Sequence, residues 1–238
     1  MRALFLLFAL QDVYIEGRGP FRFLVDTGAQ STLVGRRLAD ELRLVPEYRV
    51  ELVSALGSDM AFGKRVGEIR VGASLAKDME VLWSDAELDR SVDGVLGQNF
   101  LSAHNYAIDM ARHRLILDPP EETARLPFES RDGRIVLAVS IDGEARRLVL
   151  DSGASTLILF RSPRNSRLGG QAEIRTHTGV NTVPVHRVRE LRVGRHVLRD
   201  LAAGVTEHAA DVDGLLPATL FSRIYVDNRR GTLSLESW

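Results

Sequence analysis

Two aspartates in this chain could do chemistry together. Phe23-Leu24-Val25-Asp26-Thr27-Gly28-Ala29 and Leu148-Val149-Leu150-Asp151-Ser152-Gly153-Ala154 are one pattern written twice, 125 residues apart. In each, three apolar residues deliver an aspartate to a Thr/Ser-Gly turn. A buried strand that ends in a carboxylate is costly unless the carboxylate is paired or used. Two carboxyl groups brought within hydrogen-bonding distance share one proton, because both cannot ionise cheaply. The ionised member can take a proton from a water between them. The protonated member can polarise a carbonyl and later help protonate a leaving amine. Such a pair needs no serine or cysteine nucleophile and no metal. Thr27 and Ser152 carry hydroxyls suited to brace the two turns against each other. Gly28 and Gly153 permit a tight turn whose N–H points at the carboxylate.

A single Asp-Thr/Ser-Gly arises by chance in roughly one chain in ten of this length, so the surroundings decide. They repeat as well. Arg65-Val66-Gly67-Glu68-Ile69-Arg70-Val71-Gly72 matches Arg187-Val188-Arg189-Glu190-Leu191-Arg192-Val193-Gly194. Asp93-Gly94-Val95-Leu96-Gly97 matches Asp213-Gly214-Leu215-Leu216-Pro217, and Ile108-Asp109 through Leu117 matches Val226-Asp227 through Leu235. This is a duplicated lobe of about a hundred residues, not a short solenoid period.

The elements that must position the aspartates are mostly strands. Asp12 to Glu16 alternates as a half-buried strand, Gly17-Arg18-Gly19-Pro20 reads as a turn, and Phe21 to Val25 returns. Val34 to Leu44 has the spacing of a short amphipathic helix, and short helical turns are expected at Gln98 to His104 and Ala218 to Arg223. Two Gly-containing hairpins, around Leu56-Gly57-Ser58-Asp59 and Thr178-Gly179-Val180-Asn181, are candidate flaps over the aspartates, with Gly57, Ser58, Thr178 and Gly179 at their tips. The prolines and charges of 118–127 mark a linker. The expected division is a first lobe over 1–118, a linker over 119–133 and a second lobe over 134–238.

The chain resembles the single-chain, two-lobed aspartic proteases, and among them the bacterial retropepsin-like group. Asp26-Thr27-Gly28-Ala29, Asp151-Ser152-Gly153-Ala154, Val95-Leu96-Gly97 and Leu215-Leu216-Pro217 carry the resemblance, which spans roughly residues 12–236. It implies a mostly β, bilobal fold of two compact duplicated lobes with short helices and the active site in the cleft between them. It implies Asp26 and Asp151 as catalytic dyad, Thr27, Gly28, Ser152 and Gly153 as its support, and a peptide or protein substrate. No cofactor or metal is implied. Both motifs carry Ala where pepsins have Ser, so a less acidic dyad, active at milder pH, is expected. A flap tyrosine has no evident match, since Tyr48 stands at the far end of its strand. Pro217 replaces a common glycine. The duplication supplies internally the twofold pairing that retroviral enzymes obtain by dimerising, so a monomer is expected.

Other functions fit less well. A peptide-binding or scaffolding module with the same fold is the alternative to an active endopeptidase. A carboxylate-pair glycosidase would also use two acids, but nothing would place them in duplicated Asp-Thr/Ser-Gly turns. The net charge of −1 argues against a general nucleic-acid binder. His104, His113, His177, His186, His196 and His208 show no metal-ligand spacing. Asp93, Asp213, Asp109 and Asp227 are duplicated too and are read as structural. With 45% apolar and 26% charged residues and no cysteine, the chain has an ordinary globular composition. Ala3 to Leu10 is read as a buried terminal strand, with a short or truncated secretory signal as the alternative. It is far shorter than the about 20 apolar residues of a membrane span. A cytoplasmic location is favoured, with export or the periplasm as the alternative.

Overall fold

Alternation of apolar residues builds the first hairpin. Val13 and Ile15 on one strand, and Phe21, Phe23 and Val25 on the next, are buried, while Asp12 and Arg22 between them are exposed. The structure is a computed structural model that describes residues 8–54, 57–86, 88–164, 167–176, 179–206 and 210–238. The first half runs β1 (Leu10–Ile15), β2 (Arg18–Val25), β3 (Thr32–Val34), α1 (Arg36–Leu42), β4 (Tyr48–Ser54), β5 (Gly57–Val71), β6 (Ser74–Trp83), β7 (Gly94–Leu96), α2 (Gln98–Leu101), β8 (Tyr106–Asp109) and β9 (Arg114–Leu117). The second runs β10 (Leu126–Pro127), β11 (Glu129–Arg131), β12 (Arg134–Ile141), β13 (Glu144–Asp151), β14 (Leu157–Leu159), β15 (Arg167–Thr176), β16 (Gly179–Val193), β17 (His196–Val205) and β18 (Gly214–Pro217). A 3-10 turn over Ala218–Leu220, then β19 (Arg223–Asp227) and β20 (Thr232–Glu236), complete it.

Each lobe is one sheet, and the two sheets repeat each other. The first has the order β1-β2-β7-β3-β6-β5-β4, and the second β11-β12-β13-β18-β14-β17-β16-β15. In both, the strand that ends at the aspartate pairs in parallel with the inward strand: Leu24 opposes Val95, and Leu150 opposes Leu216. The β1–β2 turn lies at Glu16-Gly17, one residue earlier than the glycine-proline run suggests. Both turn residues have positive φ, 51° and 71°, as a two-residue hairpin requires. Asp142-Gly143 repeats that turn in the second lobe with φ of 49° and 87°.

A third sheet joins the lobes. Its order is β10-β20-β19-β8-β9, with β8 and β19 antiparallel at the seam, Ile108 opposite Ile224. The closing strand Thr232–Leu235 therefore lies in the sheet between the lobes. Tyr106 on β8 and Tyr225 on β19, which oppose Val226 and Ala107, are both fully buried. One apolar core runs through both halves, from Val13 and Phe23 to Ile224 and Leu233. The proline-rich stretch between lobes carries β10, paired with β20, and β11, paired with β12. Glu122 in that stretch is pinned by Arg223 at 2.6 Å.

Of the apolar start of the chain, residues 1–7 lie outside the described residues. Phe8 and Ala9 are buried, and the Ala9 carbonyl accepts the Val25 N–H at 3.0 Å. The expected first helix is realised over Arg36–Leu42, with Leu38 and Ala39 buried; Val34 belongs to β3 instead. No helix among the described residues is long and apolar enough to cross a membrane.

Candidate active site

β2 and β13 end side by side at the lobe interface and deliver Asp26 and Asp151 to one point. The Asp26 N–H donates to the Leu96 carbonyl at 3.1 Å, which fixes where the first strand stops. Oδ1 of Asp26 accepts the N–H groups of Gly28 at 2.8 Å and Ala29 at 3.2 Å. Oδ1 of Asp151 accepts the Gly153 N–H at 2.8 Å. Each carboxylate is thus oriented by its own turn.

The turns are locked together by reciprocal bonds. The Thr27 hydroxyl donates to the Leu150 carbonyl at 2.7 Å and accepts the Ser152 N–H at 3.0 Å. The Ser152 hydroxyl donates to the Val25 carbonyl at 2.7 Å and accepts the Thr27 N–H at 3.0 Å. Thr27 is 1% exposed and Ser152 0%, so all four bonds are shielded from water. Breaking one would leave a buried polar group unpaired, at a cost of about 1–3 kcal/mol.

The glycines have a role that turn geometry does not reveal. Neither Gly28 nor Gly153 has a positive φ. A Cβ on Gly28 would lie 2.5 Å from Cγ of Asp151, and one on Gly153 would lie 2.5 Å from Oδ2 of Asp26. Each glycine is the surface against which the opposite lobe's carboxylate rests. A side chain there would push the two acids apart.

The two acids differ in setting. Asp151 is buried, and Asp26 is half-buried. Burial pushes the Asp151 carboxyl well above the usual carboxylate range, and the neighbouring Asp26 charge and hydrogen bond add to the rise. The pair therefore holds one proton over a range in which ordinary carboxyls have lost theirs.

A glutamine to which the sequence assigned no role at the site stands behind the first turn. Gln98 is fully buried, and its side-chain amide donates to the Thr27 carbonyl at 3.1 Å. Its Oε1 has no hydrogen-bond partner among the described residues. Its position, directly after Val95-Leu96-Gly97, was the available signal; the second lobe has Ala218 there.

The candidate flap residues that are described lie on the strands of the two hairpins. Ser54 pairs with Gly57 and Thr176 with Gly179, so both glycines stand in paired strand; Thr178 lies outside the described residues. Gly57, with φ of 145°, and Gly179 open the returning strands, and Ser58 opposes Val53. Each hairpin rests an apolar residue on the strand-and-turn unit below it. Leu52 packs against the cluster of Leu33, Ala61, Leu82 and Val95, and Ile174 against that of Val136, Val149, Ile158, Phe160 and Val212. Tyr48 stands at the hairpin root, not near the tip.

The other duplicated acids are engaged elsewhere. Asp93 accepts the Arg22 N–H and an Arg37 guanidinium, and Asp213 accepts the Arg147 N–H and an Arg161 guanidinium. A cavity of about 540 Å³ lined by Glu144, Arg146, Arg161, Arg164 and Asp213 lies at the opposite end of β13 from Asp151, and its charges pair among themselves. Among the described residues no group of three His, Cys, Asp or Glu could hold a metal ion.

Comparison with known proteins agrees with this geometry. Residues 11–103 match the family described as "gag-polyprotein putative aspartyl protease". Residues 137–219 match the family described as "Aspartyl protease". The chain belongs to the aspartyl proteases, with one family match on each half. The aspartic proteinase from Irpex lacteus shares this family's bilobal fold, at 10% identity, over 98% of this chain and 94% of that one, with a TM-score of 0.60. A retropepsin-like aspartic protease from Rickettsia conorii is similar at 17% identity over 40% of this chain and 68% of that one, with a TM-score of 0.32. No curated protein matches. In this aspartic protease the two family matches fall one on each lobe, and each contains one of the two aspartates.

Proposed function

We propose that the protein is an aspartic endopeptidase that hydrolyses peptide bonds with water activated between Asp26 and Asp151. One observation carries this reading: each carboxylate rests against the other lobe's motif glycine, while reciprocal Thr27 and Ser152 bonds hold the turns in register.

In this reading the shared proton is assigned to the buried Asp151 and the charge to the more exposed Asp26. Asp26 removes a proton from water as its oxygen bonds to the peptide carbonyl carbon. Asp151 hands its proton to the carbonyl oxygen, which gives a neutral gem-diol. The proton on Asp26 then passes to the amide nitrogen as the C–N bond breaks. Asp151 recovers a proton from a diol hydroxyl as the carboxyl product forms, and the starting protonation returns. Main-chain bonds from the two hairpins would hold an extended peptide as an added strand. The enzyme works as a monomer, since one chain supplies both aspartates.

The test is cleavage of a diverse peptide mixture from pH 3 to 8, read by mass spectrometry, with Asp26→Asn and Asp151→Asn beside the wild type. Loss of every cut in both variants supports the dyad. Cuts that survive both substitutions refute it. A folded wild type that binds peptides without cutting them favours a peptide-binding module.

A further inference from the structure

The two lobes repeat in backbone but not in how their hairpins are held. In the first lobe one carboxylate ties the hairpin root to the loop that follows Asp26. Glu80, half-buried on β6, accepts the Tyr48 hydroxyl at 2.5 Å through Oε2 and the Ser31 hydroxyl at 2.8 Å through Oε1. Tyr48 opens β4, at the root of the hairpin, and Ser31 stands five positions after Asp26 in the chain. The network continues through the Glu80 carbonyl, which accepts the Asn99 side-chain amide at 2.9 Å. Asn99 Oδ1 in turn accepts the Thr32 N–H at 3.0 Å and the Thr32 hydroxyl at 2.7 Å. The ring of Tyr48 lies flat on Gly63 across the strand pair, where no Cβ would fit. Burial and the adjacent Glu80 push the Tyr48 hydroxyl up to about 12, so it remains a donor at any working pH.

The second lobe lacks the tyrosine and the carboxylate of this network and keeps only a hydroxyl, Thr156, at the place of Ser31. The register puts Gly170 opposite Val185 where Tyr48 opposes Gly63, and Ala202 opposite Arg187 where Glu80 opposes Arg65. Thr156, Leu157 and Thr219 stand where Ser31, Thr32 and Asn99 stand in the first lobe. The strand register also slips between Leu168 and Gly170, and Gly170 has φ of 126°. The root that is clasped in one lobe is a glycine bulge in the other, where the backbone is least constrained.

We infer that Glu80 is a positioning residue: through Tyr48 and Ser31 it makes the first hairpin and the Asp26 loop one rigid unit, and leaves the second hairpin as the compliant side of the cleft. A peptide would then be aligned by the first hairpin and accommodated by the second. The inference adds to the peptidase reading, and only its kinetic arm rests on that reading.

Hydrogen exchange of the ligand-free protein tests it without any appeal to activity. In wild type, amides of residues 48–54 should exchange at least about tenfold more slowly than those of residues 170–176, the scale of one hydrogen bond to a charged acceptor. Tyr48→Phe removes a single hydroxyl and keeps the ring on Gly63. It should speed exchange in 48–54 by about tenfold and leave 170–176 unchanged. Glu80→Gln, which keeps an acceptor but loses the charge, should fall between. On a cleaved peptide, Tyr48→Phe should raise KM about tenfold and leave kcat within about twofold, because it frees the hairpin and not the aspartate. Equal exchange of the two hairpins in wild type, or unchanged exchange of 48–54 in Tyr48→Phe, overturns the inference. If exchange behaves as expected but wild type cuts no peptide, the peptidase reading fails and the clasp stands.

Discussion

Replacing Gly28 by alanine separates two explanations of the motif glycine. If the glycine serves only the turn, alanine is harmless. The φ of Gly28 is not positive, and the change would stabilise the protein by about 0.4–1 kcal/mol through the unfolded chain. If the glycine serves close approach, alanine is disruptive. The added carbon would sit 2.5 Å from Cγ of Asp151, against about 3.5 Å for a comfortable carbon contact, so the carboxyl must retreat by about 1 Å. Such overpacking costs about 1–3 kcal/mol, a fall in melting temperature of about 3–10 °C for a chain of this size. A displacement of that size within a reacting pair lowers kcat by about a hundredfold. Peptide cleavage and thermal unfolding of Gly28→Ala and Gly153→Ala are the assays, and the two variants should behave alike because the contacts are reciprocal. An alanine variant with wild-type kcat and an equal or higher melting temperature would refute the close-approach argument.

Ser152→Ala leaves the buried Thr27 N–H and Val25 carbonyl without their partner. At about 1–3 kcal/mol each, the loss should reach about 2–6 kcal/mol by urea unfolding, and a loss below about 1 kcal/mol would show that the brace is not a main tie between the lobes. Asp151→Asn should change the pH dependence of stability. The folded protein holds the Asp151 proton more tightly than the unfolded chain does, so this group's contribution is complete below about pH 4 and declines as pH rises toward its folded value. The asparagine variant should therefore lose stability less steeply than wild type from pH 4 to 8, and parallel curves would contradict the burial argument. The same rise predicts cleavage that persists above the usual carboxylate range; a pH–rate profile peaking well below pH 4 would count against it. Gln98→Leu removes the donor to the Thr27 carbonyl and also the unpartnered Oε1, so its net stability cost should be under about 1.5 kcal/mol while kcat falls. An unchanged kcat would make Gln98 a packing residue only.

The two aspartates, the duplicated lobes and the strands that lead to the motifs were legible in the sequence because they rest on periodicity and repetition. What stayed hidden rests on contacts between segments distant in the chain. The reason for Gly28 lies 123 residues away, in the carboxylate of Asp151. Local reading sees a glycine after Asp-Thr and assigns it to the turn. Gly57 and Gly179 fall in paired strand, opposite Ser54 and Thr176, because register is fixed by packing of Leu52 and Ile174 on the body beneath. The short strands β10 and β11 inside the proline-rich stretch have almost no pattern of their own; their partners β20 and β12 create them.

Duplication explains the dyad, but it does not require the two lobes to stay alike. Only the reciprocal contacts must: Thr27 with Ser152, and each glycine with the opposite acid. Those contacts cross the pseudo-twofold axis, so a change on one side is felt on the other. Contacts within a lobe are under no such constraint, and there the lobes have diverged. Glu80, Tyr48 and Asn99 in one become Ala202, Gly170 and Thr219 in the other, and Gln98 becomes Ala218. A peptide has a direction, from amino to carboxyl end, so a cleft with two identical sides would hold it equally well both ways round. Divergence at the hairpin roots and in the backing of one turn gives the cleft a direction while leaving the shared carboxylates untouched.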